Sequence, residues 1–196
     1  MLASLLLALS LATVPATVAP PASAVLIQGG RWHGYGVVWG RGLVLTALHV
    51  VEDMPSVTVS IDGGPPRPAR IADVEPALDL ALLAVEGPLG EAPRLGVAAA
   101  LSPGANVRFA GCPEPACGAA PAVVLEGSRA FAGARYLAIA AAVRPGASGT
   151  PVLDANGSLV GIVDLALARD GGIALAVPVE RAAARFPRPG AAQRSP

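Results

Sequence analysis

Glycine and proline interrupt this chain at close intervals, with 23 and 20 copies among 196 residues. Long helices tolerate either residue badly, whereas short strands joined by turns accommodate both. The material between the breaks is apolar: 53% of residues are hydrophobic and only 14% are charged, which excludes extended disorder. The length suits one domain, or two small subdomains sharing a cleft. Fourteen basic residues, all arginine, balance 14 acidic ones. No basic field is present to hold a nucleic acid or an anionic membrane, so neither is expected as a partner.

The N-terminus reads as an export signal. Met1 to Ala19 has no charged side chain, and the Leu-rich run from Leu2 to Ala12 is shorter than a bilayer span of about 20 residues. Pro15, Pro20 and Pro21 stop any helix beyond it. Ala22-Ser23-Ala24 then offers the small-x-small pattern of a signal peptidase site, so residues 1–24 are expected to be removed on passage to the periplasm or the medium. Because no Lys or Arg precedes the apolar run, an uncleaved N-terminal anchor is the alternative. No membrane association is expected once the segment is cut. In an exported chain the two cysteines, Cys112 and Cys117, read as one disulfide closing a small loop and worth about 2 kcal/mol. The two cysteines and two histidines lie apart without ligand spacing, so no metal and no cofactor is expected.

The rest reads as short strands. Tyr35–Trp39 and Leu43–Thr46 form a hairpin around Gly40-Arg41-Gly42, with His49 closing the apolar run that follows. Val57–Ile61, Ala69–Val74 and Leu80–Val85 follow, then a turn-rich linker over about 87–104. Val107–Ala110, Ala122–Leu125, Tyr136–Ala141, Thr150–Leu153, Leu159–Leu167 and Ile173–Val177 lie beyond it. A single clear helix spans Val179–Phe186, ahead of a polar tail over 187–196. Strands on both sides of a central linker predict an all-β chain of two small antiparallel barrels, over about 30–86 and 105–177, with a short C-terminal helix.

Nucleophiles and bases narrow the chemistry. Beyond the export segment every serine follows both histidines, His33 and His49. The Ser, acid, His order of α/β-hydrolases is therefore excluded. No Asp or Glu lies between Val25 and Leu48, which excludes the Asp, His, Ser order as well. Ser148 stands in the tight turn Gly146-Ala-Ser-Gly-Thr-Pro151, where a glycine frees backbone N–H groups. Gly146 and Ser148 would supply an oxyanion hole, each donor worth about 3 kcal/mol in the transition state. His49, inside an apolar run, must find a partner. Asp79, in Ala77-Leu-Asp-Leu-Ala-Leu-Leu83, is a carboxylate that persists in such surroundings only if paired. Asp73 is the weaker acid, Asp53 and Asp62 suit ordinary turns, and His33 is assigned to the surface.

In order, Gly42-Leu-Val-Leu-Thr-Ala-Leu-His49, Asp79-Leu-Ala-Leu-Leu83 and Gly146-Ala-Ser-Gly-Thr-Pro151 resemble the trypsin-like serine proteases, in particular the bacterial Deg/HtrA-type branch. The likeness covers nearly all of Gly34 to Val177, as a protease domain without a PDZ domain. It implies two six-stranded barrels and a serine endopeptidase acting on proteins or peptides. Ser148 would be the nucleophile, His49 the general base and Asp79 its orienting partner. It also implies that Asp164, Leu165 and Ala166 form the edge that pairs with substrate backbone, and that Ala142, Ala166 and Ala174 shape the pocket for the residue before the cut. None of those three alanines is charged, which predicts a small or medium aliphatic residue there. Ala147 stands where digestive members carry an Asp, so activation by a freed N-terminus is not expected. Thr150 and Leu48 replace smaller residues of the family pattern.

Overall fold

The structure is a computed structural model that describes residues 23–111, 118–141, 143, 145–167 and 172–188. The expected disulfide, Ala142 and most of the export segment lie outside the described residues.

Two closed antiparallel barrels form the molecule, each of six strands. The first contains β1 (Ala24–Gly29), β2 (Trp32–Gly40), β3 (Leu43–Ala47), β4 (Val57–Ile61), β5 (Arg67–Glu75) and β6 (Leu80–Val85). Around the barrel they run β1-β2-β3-β6-β5-β4. The second contains β7 (Asn106–Gly111), β8 (Gly118–Phe131), β9 (Ala134–Ala140), β10 (Pro151–Leu153), β11 (Leu159–Leu167) and β12 (Ile173–Pro178), in the order β10-β11-β12-β9-β8-β7. Closure removes the exposed sheet edges that an open all-β chain must otherwise protect. The double barrel agrees with the sequence reading, and several strands differ in extent. β1 was not expected: it abuts the export segment, yet Ala24 pairs with Val37 and the Ser23 carbonyl accepts Val38 N–H at 2.8 Å. A cut after Ala24 removes that bond and leaves Val25–Gly29 in the barrel.

Three apolar clusters explain why the strands are hydrophobic on both faces. Val25, Ile27, Val38, Val44 and Leu83 fill the first barrel, and Val107, Phe109, Ile139, Val160 and Ala174 fill the second. The third cluster lies between the barrels. Alternation along β2 sends Val38 inward while Val37 and Trp39 meet Leu153, Ile162, Leu175 and Val177 of the second barrel. At that seam Trp39 is fully buried, and its Nε1 donates to the Phe186 carbonyl at 2.8 Å.

The C-terminal helix α2 (Val179–Arg185) closes the seam from the side. Val179, Ala182 and Phe186 join the inter-barrel cluster. Arg185 reaches back to β5, donating to both Asp73 carboxylate oxygens and to Glu75 Oε2, each at 2.8 Å. Asp73, the weaker acid candidate, is thus a partner of the terminal helix. The Arg185 guanidinium holds its carboxyl below the usual carboxylate range.

Candidate active site

His49 does not close a strand. After Ala47 the chain turns into a four-residue helix, α1 (Leu48–Val51), which carries His49 in its first turn. Asp79 makes that turn possible. Its carbonyl accepts Leu48 N–H at 2.8 Å and its Oδ1 accepts His49 N–H at 3.0 Å, satisfying backbone donors that a helix start leaves unpaired. Asp79 ends the 3-10 turn Pro76–Leu78 with φ +50°, a left-handed backbone that Asp adopts more readily than most residues. So placed, its Oδ2 hydrogen-bonds His49 Nδ1.

That bond sets the charges. It raises the His49 pKa above 6.5 against the opposing effect of burial, with Asp79, Asp164 and Glu52 adding to the rise. Burial pushes Asp79 up, but bonds to His49 and Asp164 outweigh it and hold the carboxyl below its ordinary value. Asp79 is therefore the charged member, and His49 presents Nδ1 to it.

Ser148 comes from the other barrel. Gly146, at φ +91°, and Gly149, at φ +81°, bracket it in backbone conformations that side chains rarely adopt. The turn is clamped onto β2: Tyr35 N–H donates to the Ser148 carbonyl at 2.9 Å, and Gly149 N–H donates to Val163 at 2.7 Å. A Cβ on Gly149 would collide with the Tyr35 carbonyl oxygen. Ser148 Oγ itself donates to the Asp164 carbonyl at 3.4 Å. His49 and Ser148 line one cleft of about 240 Å³, together with Trp32, His33, Val50, Asp53, Met54 and Gly146.

The sequence reading missed His33 as a member of this region and the direction in which Asp164 turns. His33 is exposed, as expected, but it packs over Gly146, where an added Cβ would lie 2.5 Å from its Nε2. Its only sequence signal is the scarcity of histidine, and nothing local ties it to residue 146. Asp164 was expected on a substrate edge, but its carboxyl is 4% exposed and turned toward His49 and Asp79, with Oδ1 3.9 Å from His49 Nδ1. Leu165 is half-buried against the inter-barrel cluster, Ala166 pairs with Ala174 across β11 and β12, and Ala174 is buried in the second barrel. The polar atoms of His49, Asp79 and Asp164 lie within 4.8 Å of one another. An ion placed among them would have to break the Nδ1–Oδ2 bond.

A family model described as "Trypsin-like peptidase domain" matches residues 34–162. The chain belongs to that family. Its likenesses place it on the Deg/HtrA-type branch. It is 31% identical to "Serine protease HTRA2, mitochondrial" of Drosophila grimshawi over 76% of this chain and 38% of that protein. It is 29% identical to "Probable periplasmic serine endoprotease DegP-like" of Pseudomonas putida over 74% of this chain and 32% of that one. The chain thus spans well under half the length of these curated relatives. Among solved structures, an inactive form of Rv3671c from M. tuberculosis, carrying a serine-to-alanine mutation, superposes with a TM-score of 0.71. It is 28% identical, covering 83% of this chain and 84% of that one.

Proposed function

We propose that the protein is an exported serine endopeptidase acting through His49, Asp79 and Ser148. The observation that carries the reading is the hydrogen bond from His49 Nδ1–H to Asp79, with His49 and Ser148 lining one cleft. Ser148 Oγ attacks the scissile carbonyl carbon while His49 takes its proton. The N–H groups of Gly146 and Ser148 hold the developing oxyanion, and Asp79 stabilises the imidazolium. His49 returns the proton to the leaving amine, and water then releases the acyl group by the same route. β10 pairs with β11 only over Leu159–Ile162, so Asp164–Leu167 have no strand on that side among the described residues. That stretch suits backbone pairing with a peptide. The inward turn of Asp164 removes its charge from that edge, which supports a small or medium aliphatic residue before the cut. Export rests on the apolar N-terminal run and on the periplasmic relative. No helix among the described residues is long and apolar enough to cross a membrane.

One observation favours a second reading, a protease-like domain that is silent or gated by a bound peptide or protein. The Ser148 hydroxyl donates to the Asp164 carbonyl, so it must turn before His49 can take its proton. Labelling with a fluorophosphonate probe, with and without added peptides, separates the two. Labelling that Ser148→Ala and His49→Ala abolish supports the peptidase. Labelling only after peptide is added supports gating. A folded chain that never labels refutes the enzyme.

A further inference from the structure

Asp164 occupies an irregularity in β11. Val163 pairs with Ala176 and Leu165 with Leu175, so Asp164 is an extra residue that β12 does not match. Such a bulge re-aims a side chain. Its effect is visible in the neighbours: Ile162 and Leu165, three apart, both pack at the seam between the barrels, which strict alternation forbids. The Asp164 carboxyl is thereby buried beside His49 and Asp79: its Oδ1 lies 3.9 Å from His49 Nδ1, and polar atoms of the three side chains lie within 4.8 Å of one another.

Two carboxyl groups this close and shielded from water do not both ionise, so one of them keeps a proton. Asp79 already accepts from His49 N–H and Nδ1, so it is the ionised partner. Asp164 is the more buried of the two, with 4% of its side chain exposed against 28% for Asp79, so it keeps the proton and can offer it to Asp79. We propose that Asp164 is a positioning residue of the active site: its carboxylic acid donates to Asp79 and holds that carboxylate against His49, while its own carbonyl steadies the resting Ser148. The proposal rests on the peptidase reading above for its effect on rate. Burial, then the bond and charge of Asp79, push Asp164 up to about 7. The groups facing it are Asp79 from the turn before β6, His49 from α1 and Tyr136 from β9. Glu52 acts on His49, and Arg181 acts on Tyr136.

The consequence is a site with two opposed pH limbs. As pH rises His49 loses its proton and the site becomes active. Loss of the shared proton of Asp164 to solvent acts the other way: two like charges then face each other, and Asp79 is pushed off His49. Asp164→Asn keeps the shape without the titration, because its amide can still donate to Asp79. Asp164→Ala removes the donor.

The test follows the second-order rate of fluorophosphonate labelling against pH, beside the carboxyl carbon resonances of the aspartates by NMR. The wild type is expected to give a bell, with one aspartate titrating near the value of about 7. Asp164→Asn is expected to lose the alkaline fall and that titration. Asp164→Ala is expected to react about ten- to a hundredfold more slowly across the range. A wild type with no aspartate titrating above about pH 6 overturns the proposal without reference to any variant. An Asn variant with the wild-type profile overturns it too. If the wild type never labels but the titration is present and lost in Asp164→Asn, the peptidase reading fails and the shared-proton pair stands.

Discussion

The two barrels share an architecture and hold their parts of the site by different means. In the first barrel the side chains that matter are fixed by hydrogen bonds to one residue: Asp79 caps α1 with its carbonyl and Oδ1, and grips His49 Nδ1 with Oδ2. In the second barrel the backbone itself is bent, by left-handed glycines on either side of Ser148 and by a bulge at Asp164. One half is held by polar partners and the other by conformations that few residues can adopt. His49 is therefore vulnerable to loss of a charge, and Ser148 to addition of a methyl group.

Asp79→Asn gives the largest contrast. It tolerates the same left-handed backbone but presents the wrong groups to Nδ1, so kcat is expected to fall about 10⁴-fold with the fold intact. Asp73→Asn, six positions earlier, is expected to leave kcat within about threefold, the scale of a change remote from the site, while lowering Tm through the loss of Arg185. Peptide hydrolysis and thermal melts of both variants check the pair. Gly149→Ala attacks the other half: its Cβ meets the Tyr35 carbonyl oxygen, and displacing the serine turn is expected to reduce kcat about 10²-fold.

Smaller effects sharpen the same difference. The His49 pKa is raised by its partners, so the protonated, inactive form persists above pH 6.5 and the acid limb of kcat/KM is expected to have its midpoint above that value. Glu52→Gln is expected to move the midpoint down, because it removes a negative charge that favours the imidazolium. A rate profile of that variant reads the sign directly. Last, Thr150 is fully buried and its hydroxyl has no hydrogen-bond partner among the described residues. Thr150→Val removes the unpaired group at nearly constant shape and is expected to stabilise by about 1 kcal/mol in urea unfolding.

The contrast also explains which parts of the molecule were legible in the sequence. Asp79 was, because a carboxylate within Ala77–Leu83 has to be paired, and Ser148 was, because glycines flank it. The barrels were foreshadowed by short strands on either side of a turn-rich linker. The helical turn at His49 was not, because Leu43–Val51 is one apolar string and the residue that caps the helix lies 30 positions away. Nor was the inward turn of Asp164: a bulge is a mismatch between two strands, and β11 alone contains no sign of the step that β12 imposes. His33 reaches the cleft through contact with Gly146, a neighbour in space alone.

The grip of Arg185 on Asp73 and Glu75 carries a consequence for synthesis. The clasp joins helix α2 to the first barrel, and His49 and Ser148 stand on opposite sides of the seam it closes. A nascent chain that ends short of Arg185 has both residues but lacks this fastening. The order in which residues leave the ribosome thus delays the full bracing of the cleft until both barrels and the helix that follows them have been made, a delay built from connectivity alone.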